Sequence, residues 1–515
     1  MKGWVKRMVL ISLCTVFTFA FGFPGDARSA AKGTLKVATN LDATTLDPHD
    51  HLEVPAMVVN NNLFDCLVKR IYKDGKLQHE PHLATSWERL NETTWIFYLR
   101  KGVKFHNGEP FNAEAVKFNI DRLLSPSPKM KRGIYFNTID RVEIIDPSTV
   151  KIITKVPSGV LFTNIGYTLP FVAPKYTKEK GNEYAATHPV GTGPFKFVRW
   201  KKDDEMVFEA NEEYWDGPPS IKTLIFKPIP EDATRVAALV SGDVDIAKNI
   251  PVDLIQMVKQ SKRCNVLTAP SPLTINVFFD TLEKGSPLQD KRVRQGINYA
   301  VDKESIIKTI LMGYGEAVGS PLNRAHIGYS PKIKPYPYDP EKAKALLREA
   351  GYGSGFNTTL NIPSGRYQKD KEVAEAIAGH LSKVGINVKV QVWEWGSYNQ
   401  IQFSDKGAGP LWMIGWASSF DADAVISPNI SCTEKRSKYC NKELDDLMAR
   451  GRSTVDIKER ERIYEKVAML LHEEAAGLWL HIGYDTYGVN NRIQNWEPTS
   501  DESRALIMHR ATIKD

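Results

Sequence analysis

The sequence predicts an α/β fold arranged as two lobes, and three observations predict it. Strand-like alternating segments and segments with apolar residues at helical spacing are mixed along the chain. At 515 residues the chain is long enough for two or three domains. It carries no repeat, no low-complexity segment and no flexible linker, so lobes that share one continuous chain fit better than beads on a string.

The elements follow in order. "GTLKVAT" from Gly33 alternates as a strand, and "TTLDPHD", with Pro48 among acids, is the loop after it. "TWIFYLRKGVKFHNGEPF" reads as two short strands joined by charge and glycine. In "NAEAVKFNIDRLL" the apolar residues fall at helical spacing behind Asn112 as N-cap. "HPVGTGPF" at 188–195 is a tight turn in which glycine supplies backbone angles that other residues resist. Helices are predicted for "DKRVRQGINYAVDKESIIKTILM", "DPEKAKALLREAGY" ending at Gly351, "KDKEVAEAIAGHLSKVG" ending at Gly385 and "DIKERERIYEKVAMLLHEEA". Between the last two, "INVKVQVWEW" alternates as a strand, and in "MIGWASSFDADAVISP" at 413–428 an apolar strand runs into a short acidic loop. Trp87, Trp95, Trp200, Trp215, Trp393, Trp395, Trp412 and Trp416 are core or cleft-wall material, with a functional reading kept for those beside polar loops.

The N-terminus reads as a secretory signal. Lys2, Lys6 and Arg7 precede the apolar run "VLISLCTVFTFAFGF", and the small residues "SAA" at 29–31 place the cut near Ala31. The run is about 15 residues, short of the roughly 20 that cross a bilayer. Cys14 follows Leu13, where a lipoprotein signal wants a small residue, so lipidation is not expected. Cleavage takes away Lys2, Lys6, Arg7, Arg28 and Asp26, and lowers the formal charge from +7 to about +4. That is too mild for a nucleic-acid partner. Cys66, Cys264, Cys432 and Cys440 remain, and an even number in an exported chain favours disulfides. The pair in "SCTEKRSKYC" suits a stapled loop better than zinc, because no histidine is near it.

A secreted enzyme is the other class to weigh, and its usual constellations are incomplete. "HEEAA" at 472 lacks the second zinc-binding histidine, and there is neither a Gly-x-Ser-x-Gly elbow nor a phosphate loop. "GYGSG" at 351 follows a helix, where glycine serves as a C-cap. "HEPH" at 79–82 and "HDH" at 49–51 have no third ligand at sensible spacing and read as solvated loop histidines. No cofactor or metal site is expected.

Several stretches together resemble one family. They are "LATSWERLNETTWIFYLRKGVKFHNGEPFNAEAVKFNIDRLL" (83–124), "PVGTGPFKFVRW" with "NEEYWDGPPSIKTLIFKPIPEDATRVAALVSGDVDIA" (189–247), "LQDKRVRQGINYAVDKESIIKTILMGYGEAVGSPL" (288–322) and "YPYDPEKAKALLREAGY" (336–352). This pattern resembles the extracellular solute-binding proteins of family 5, the peptide-, glutathione- and nickel-binding receptors of ABC importers. The resemblance implies a large periplasmic binding-protein fold with two α/β lobes, two chain crossings and a ligand cleft between the lobes that closes about a hinge. The expected division is a signal at 1–31, lobe I at 32–281 with an extra subdomain at about 70–185, lobe II at 282–489, and a return to lobe I at 490–515.

The same resemblance implies a non-catalytic monomer in the periplasm, which carries a dipeptide, an oligopeptide or another peptide-like solute to a membrane permease. The family's peptide receptors pair the ligand's ammonium with an aspartate and its carboxylate with an arginine. Arg366, with Tyr367, matches the arginine, and Trp395 and Trp416 match apolar walls. The aspartate's place three residues after the Gly-Trp tryptophan holds Ser419, preceded by Ser418, so the ammonium role passes to Asp421 or Asp423. Serine and small residues before the acids bring the loop nearer to the glutathione receptors. A nickel or haem receptor would need a cleft histidine; residues 413–430 hold none, which leaves His481 and His188 as outsiders. The backbone of Gly191 to Gly193 is expected at the cleft, and whether Cys66 and Cys264 pair is open.

Overall fold

The computed structural model describes residues 33–514 apart from 74, 75, 405, 406, 417–419 and 502. The leader, its cleavage site, Cys14, Ser418 and Ser419 therefore lie outside the described residues. Among these residues one 11-stranded sheet organises both lobes. Its centre is an antiparallel pair of long strands, Cys264–Phe279 and Gly477–Asn490. On one side follow Ile246–Lys248, Thr34–Thr39, Thr223–Pro228, Glu205–Ala210 and Phe195–Lys201, and on the other Leu411–Trp416, Phe356–Pro363 and Ile386–Trp393. The first set belongs to lobe I and the second to lobe II, so the two long strands are the chain crossings.

The register of the crossing pair shifts between Pro270 and Thr274. Pro270 and Pro272 have no N–H to give to a ladder, so the sheet is weakest where the lobes meet. A hinge belongs where few hydrogen bonds resist bending.

Lobe I packs Leu35, Val37, Phe208, Phe226 and Ile246 against Trp496, Leu506 and Met508 of the C-terminal segment. A four-stranded sheet of Ala84–Asn91, Thr94–Leu99, Thr149–Thr154 and Ile139–Asp146 carries the helix Ala113–Leu124 and closes its own core around Phe97, Val116 and Ile152. In lobe II the helices Lys291–Ala300, Pro340–Glu349 and Asp370–Ser382 cover the strands with Val293, Leu347 and Ile377.

Local chemistry explains the helix ends. Asn112 accepts from the Ala115 N–H at 3.1 Å, Asp339 from Lys342 at 2.9 Å and Asp456 from Glu459 at 2.9 Å. The segment from 290 is two helices rather than one, Lys291–Ala300 and Lys303–Thr309. Val301 is extended, and Asp302 caps the second helix through the Ser305 N–H.

Two expectations change in the folded chain, and the open question of the cysteines is answered. Gly191 and Gly193 do not have positive φ, and a Cβ on either would meet the Leu63 backbone at 2.1 and 2.5 Å, so the glycines admit a close approach inside lobe I rather than at the cleft. His49 and His51 are buried rather than solvated, next to Arg122 and Arg132, and His82 is held on the Cys66 carbonyl. Burial lowers His49 to about 3, so its uncharged ring accepts from Arg122. Cys432 and Cys440 form a disulfide, whereas Cys66 and Cys264 are buried free thiols.

Candidate functional site

A cavity of about 620 Å³ lies between the lobes, a size that suits a small solute. Its walls come from lobe I (Asn40, Glu231, Asp232, Asp253), from lobe II (Arg366, Tyr367, Lys369) and from the crossing strands (Ser271, His481). A second cavity of about 570 Å³ lies under the C-terminal segment, lined by residues of lobe I and by Phe420 of lobe II. There Arg70 pairs with Asp501 and Arg510 with Asp216. The first cavity is the candidate site because both lobes and both crossings reach it, so its shape changes when the hinge moves.

Asp370 builds the loop that presents Arg366. Its buried carboxylate accepts from the Arg366 N–H at 2.9 Å and the Tyr367 N–H at 3.2 Å, which fixes the chain just before the helix. The Arg366 guanidinium lies 5.1 Å from the Trp395 ring centre and 5.5 Å from that of Tyr367. No carboxylate ion-pairs with it among the described residues. The Tyr367 hydroxyl donates to the Gly415 carbonyl at 3.2 Å, which ties this loop to the strand that ends at Trp416. Lys369 reaches Asp253 of lobe I at 3.4 Å.

Charges of both signs line the walls, and Arg235 of lobe I and Asp485 of a crossing strand are among them. Arg366 and Lys369 stand on lobe II, and Glu231, Asp232 and Asp253 on lobe I. Glu231 also caps the helix Asp232–Ser241, and Asp232 pairs with Arg235, whose buried guanidinium holds the carbonyls of Ile229, Pro230, Lys248 and Asn249. Two residues here hold left-handed backbone without being glycine: Asn249 (φ 58°) and Lys369 (φ 55°). Such conformations cost of order 1–3 kcal/mol each and cluster where a binding surface must be preformed.

The acids after Gly-Trp have other partners. Asp421 is 1% exposed, and both its oxygens accept from Arg460, at 2.5 and 2.8 Å. It also caps the helix Ala422–Ile430 through the Asp423 N–H. A carboxylate already matched by a bidentate guanidinium has little left for a ligand's ammonium. Asp423 accepts from Arg452 at 2.9 Å and from the Tyr464 hydroxyl at 3.1 Å. Trp416 is half-buried, and its indole N–H donates to the Ala424 carbonyl at 2.9 Å. His481 lines the cavity, and burial lowers it to about 4, so it is neutral at physiological pH. His188 stacks on Tyr184 in lobe I, 4.2 Å between centres. Among the described residues no group of three or more His, Cys, Asp or Glu is placed to hold a metal.

Asp423 makes a prediction about pH. Burial raises its pKa to about 6 from 3.8, against the pull of Arg452 and with Asp421 adding to the rise. The native state therefore holds this proton more tightly than the unfolded chain. The contribution to stability is present below about pH 4 and is lost as the pH rises through about 6. In melts from pH 4 to 7, Asp423→Asn is expected to gain on the wild type as the pH rises. A difference that stays flat across that range removes the shift.

The sequence reading passed over Glu231, Asp232 and Asp253, because acids just ahead of an apolar periodic run look like helix caps. It also passed over Arg436, whose only signal is its place between Cys432 and Cys440.

The chain's relatives agree with this architecture. Residues 78–437 match the description "Bacterial extracellular solute-binding proteins, family 5 Middle". The chain belongs to family 5 of the bacterial extracellular solute-binding proteins. It is 32% identical over 472 residues to the "Glutathione-binding protein GsiB" of Pectobacterium atrosepticum, which covers 88% of both chains. The periplasmic binding protein DppA of Helicobacter pylori, solved in complex with the peptide STSA, superposes with a TM-score of 0.75 at 26% identity, over 94% of this chain and 98% of that one. HbpA2 of Haemophilus parasuis gives a TM-score of 0.83 at 26% identity, over 94% and 100%. Members of this family are solute-binding receptors.

Proposed function

We propose that this chain is the extracytoplasmic receptor of an ABC importer and that it captures a short peptide-like zwitterion for delivery to the membrane permease. The observation that carries the reading is that Arg366 and Lys369 of lobe II line one cavity with Glu231, Asp232 and Asp253 of lobe I. A carboxylate meets Arg366 on lobe II, and an ammonium meets the acids of lobe I. A ligand with both groups contacts both lobes only when the cleft is closed, so binding drives closure. This moves the ammonium side from Asp421, which Arg460 already matches, to the opposite wall. The similarity to GsiB favours glutathione as one such zwitterion.

Thermal shift of the mature chain against glutathione, the tetrapeptide Ser-Thr-Ser-Ala, short dipeptides and nickel-histidine tests the reading. A ligand at 100 times its Kd adds roughly 2.7 kcal/mol to stability. If no peptide-like member moves the transition, or if only nickel-histidine does, the reading fails. Arg366→Ala is expected to weaken a carboxylate ligand about 10- to 100-fold, the range for a hydrogen bond to a charged group. The melt of the free protein should hardly change, because Arg366 is exposed and touches only ring faces. Unchanged affinity takes Arg366 out of the site.

A further inference from the structure

The nine residues closed by the Cys432–Cys440 disulfide turn Arg436, Ser437 and Tyr439 inward. Both cysteines are exposed, while Arg436 between them is 4% exposed. Its guanidinium sits in an aromatic box, 4.4 Å from the ring centre of Trp416, 5.3 Å from Phe403 and 5.6 Å from Trp412. Gln402 accepts a hydrogen bond from Nη2, and among the described residues Nε has no partner. No carboxylate pairs with it among the described residues. The titratable groups that face it are the Tyr367 and Tyr398 hydroxyls, and burial lowers its pKa to about 10, so it is a cation at neutral pH.

A buried cation without a counter-ion is unfavourable unless its surroundings hold it in place. Part of the hold comes from outside the loop, where Asp445 accepts from the Cys432 N–H and the Thr281 N–H donates to the Lys438 carbonyl at 2.9 Å. The covalent part is the disulfide. The side chain held this way stacks on Trp416, the last residue of the strand that leads into residues 417–420.

We propose that Arg436 is a positioning residue for solute binding, clamping the Trp416 indole at the end of the strand whose Gly415 carbonyl holds Tyr367 of the cavity wall, and that the exposed disulfide makes this clamp sensitive to thiols. In the chemistry, a dithiol attacks one sulfur to give a mixed disulfide, and its second thiolate then displaces the first. Two electrons and two protons pass to Cys432 and Cys440, which become thiols, and the dithiol becomes a cyclic disulfide. The reduced loop loses its closure, and the guanidinium moves out to water.

The proposal rests on the reading of the cleft as a solute site, so its test has a readout that needs no solute. In the ligand-free mature chain, reduction with dithiothreitol followed by alkylation is expected to shift tryptophan emission to the red. The shift should be lost in Trp416→Phe and should already be present in Arg436→Met with the disulfide intact. Calorimetric titration then uses S-methylglutathione, whose sulfur cannot exchange, and Ser-Thr-Ser-Ala. Reduction and Arg436→Met are each expected to weaken binding about tenfold. Their effects should not add, and Arg436→Lys should recover most of the loss. Emission and affinity both unchanged by reduction would overturn the thiol sensitivity. Wild-type affinity in Arg436→Met would overturn the positioning role. Failure of both solutes to bind the oxidised wild type, with the emission shift present, counts against the peptide-like reading and leaves the clamp standing.

Discussion

Arg460→Met is expected to remove about 3–5 kcal/mol of stability, the range for breaking a buried ion pair from one side. Arg460 is fully buried; its two terminal nitrogens hold Asp421, and Nε donates to the Gly451 carbonyl at 2.8 Å. The substitution leaves the Asp421 carboxylate buried and unmatched, with Asp423 two residues away. The double variant Asp421→Asn with Arg460→Met should lose much less than Arg460→Met alone, because most of the penalty is the stranded charge. Urea unfolding followed by circular dichroism measures both. A loss below about 1 kcal/mol for Arg460→Met would mean that Asp421 finds another partner and is available to a ligand after all.

Gly159→Val is expected to weaken solute binding by one to two orders of magnitude without touching the cavity. Gly159 belongs to lobe I, and its N–H donates to the Arg452 carbonyl of lobe II at 2.9 Å. A Cβ there would come within 2.2 Å of the Thr454 carbonyl oxygen and 2.8 Å of the Arg460 side chain. This docking is made only when the lobes are together, so a branched side chain disfavours the closed state alone. Apparent affinity falls in proportion to the fraction of molecules able to close, and each tenfold loss corresponds to about 1.4 kcal/mol. Small-angle scattering at saturating solute should show a larger radius of gyration than for the wild type. Arg366→Ala differs in kind, since it should lose affinity and still close once saturated. Wild-type affinity and wild-type compaction in Gly159→Val would show that this contact has no part in closure.

These two contacts also show where sequence reading stops. Asn112 was legible as a cap because it acts on an N–H three residues away, as Asp339 and Asp456 also do at the heads of the helical segments they begin. The two strands of "GTLKVAT" and "INVKVQVWEW" were legible from their alternation, and the Cys432–Cys440 staple from its spacing. The break at Val301–Asp302 was missed because the apolar spacing on either side continues in phase, and an aspartate inside a long pattern looks like an exposed residue. The glycines of "HPVGTGPF" were read as conformational when they are steric. Only the position of Leu63, 128 residues before Gly191, reveals this.

The sequence by itself determined the α/β class, several of the helices, the family and an arginine in the loop before a lobe II helix. All of these follow from periodicity, from hydrogen bonds a few residues long or from motifs read along the chain. Only the tertiary structure decided which charged groups line the cavity between the lobes. Asp421 and Asp423 look free in the sequence, and Arg460 and Arg452, 39 and 29 residues further on, occupy them. Glu231, Asp232 and Asp253 look like caps, and the fold sets them across the cavity from Arg366. The reason is the same in each case: a charge is matched by whichever partner the packing brings within about 4 Å, and separation along the chain carries no information about that distance.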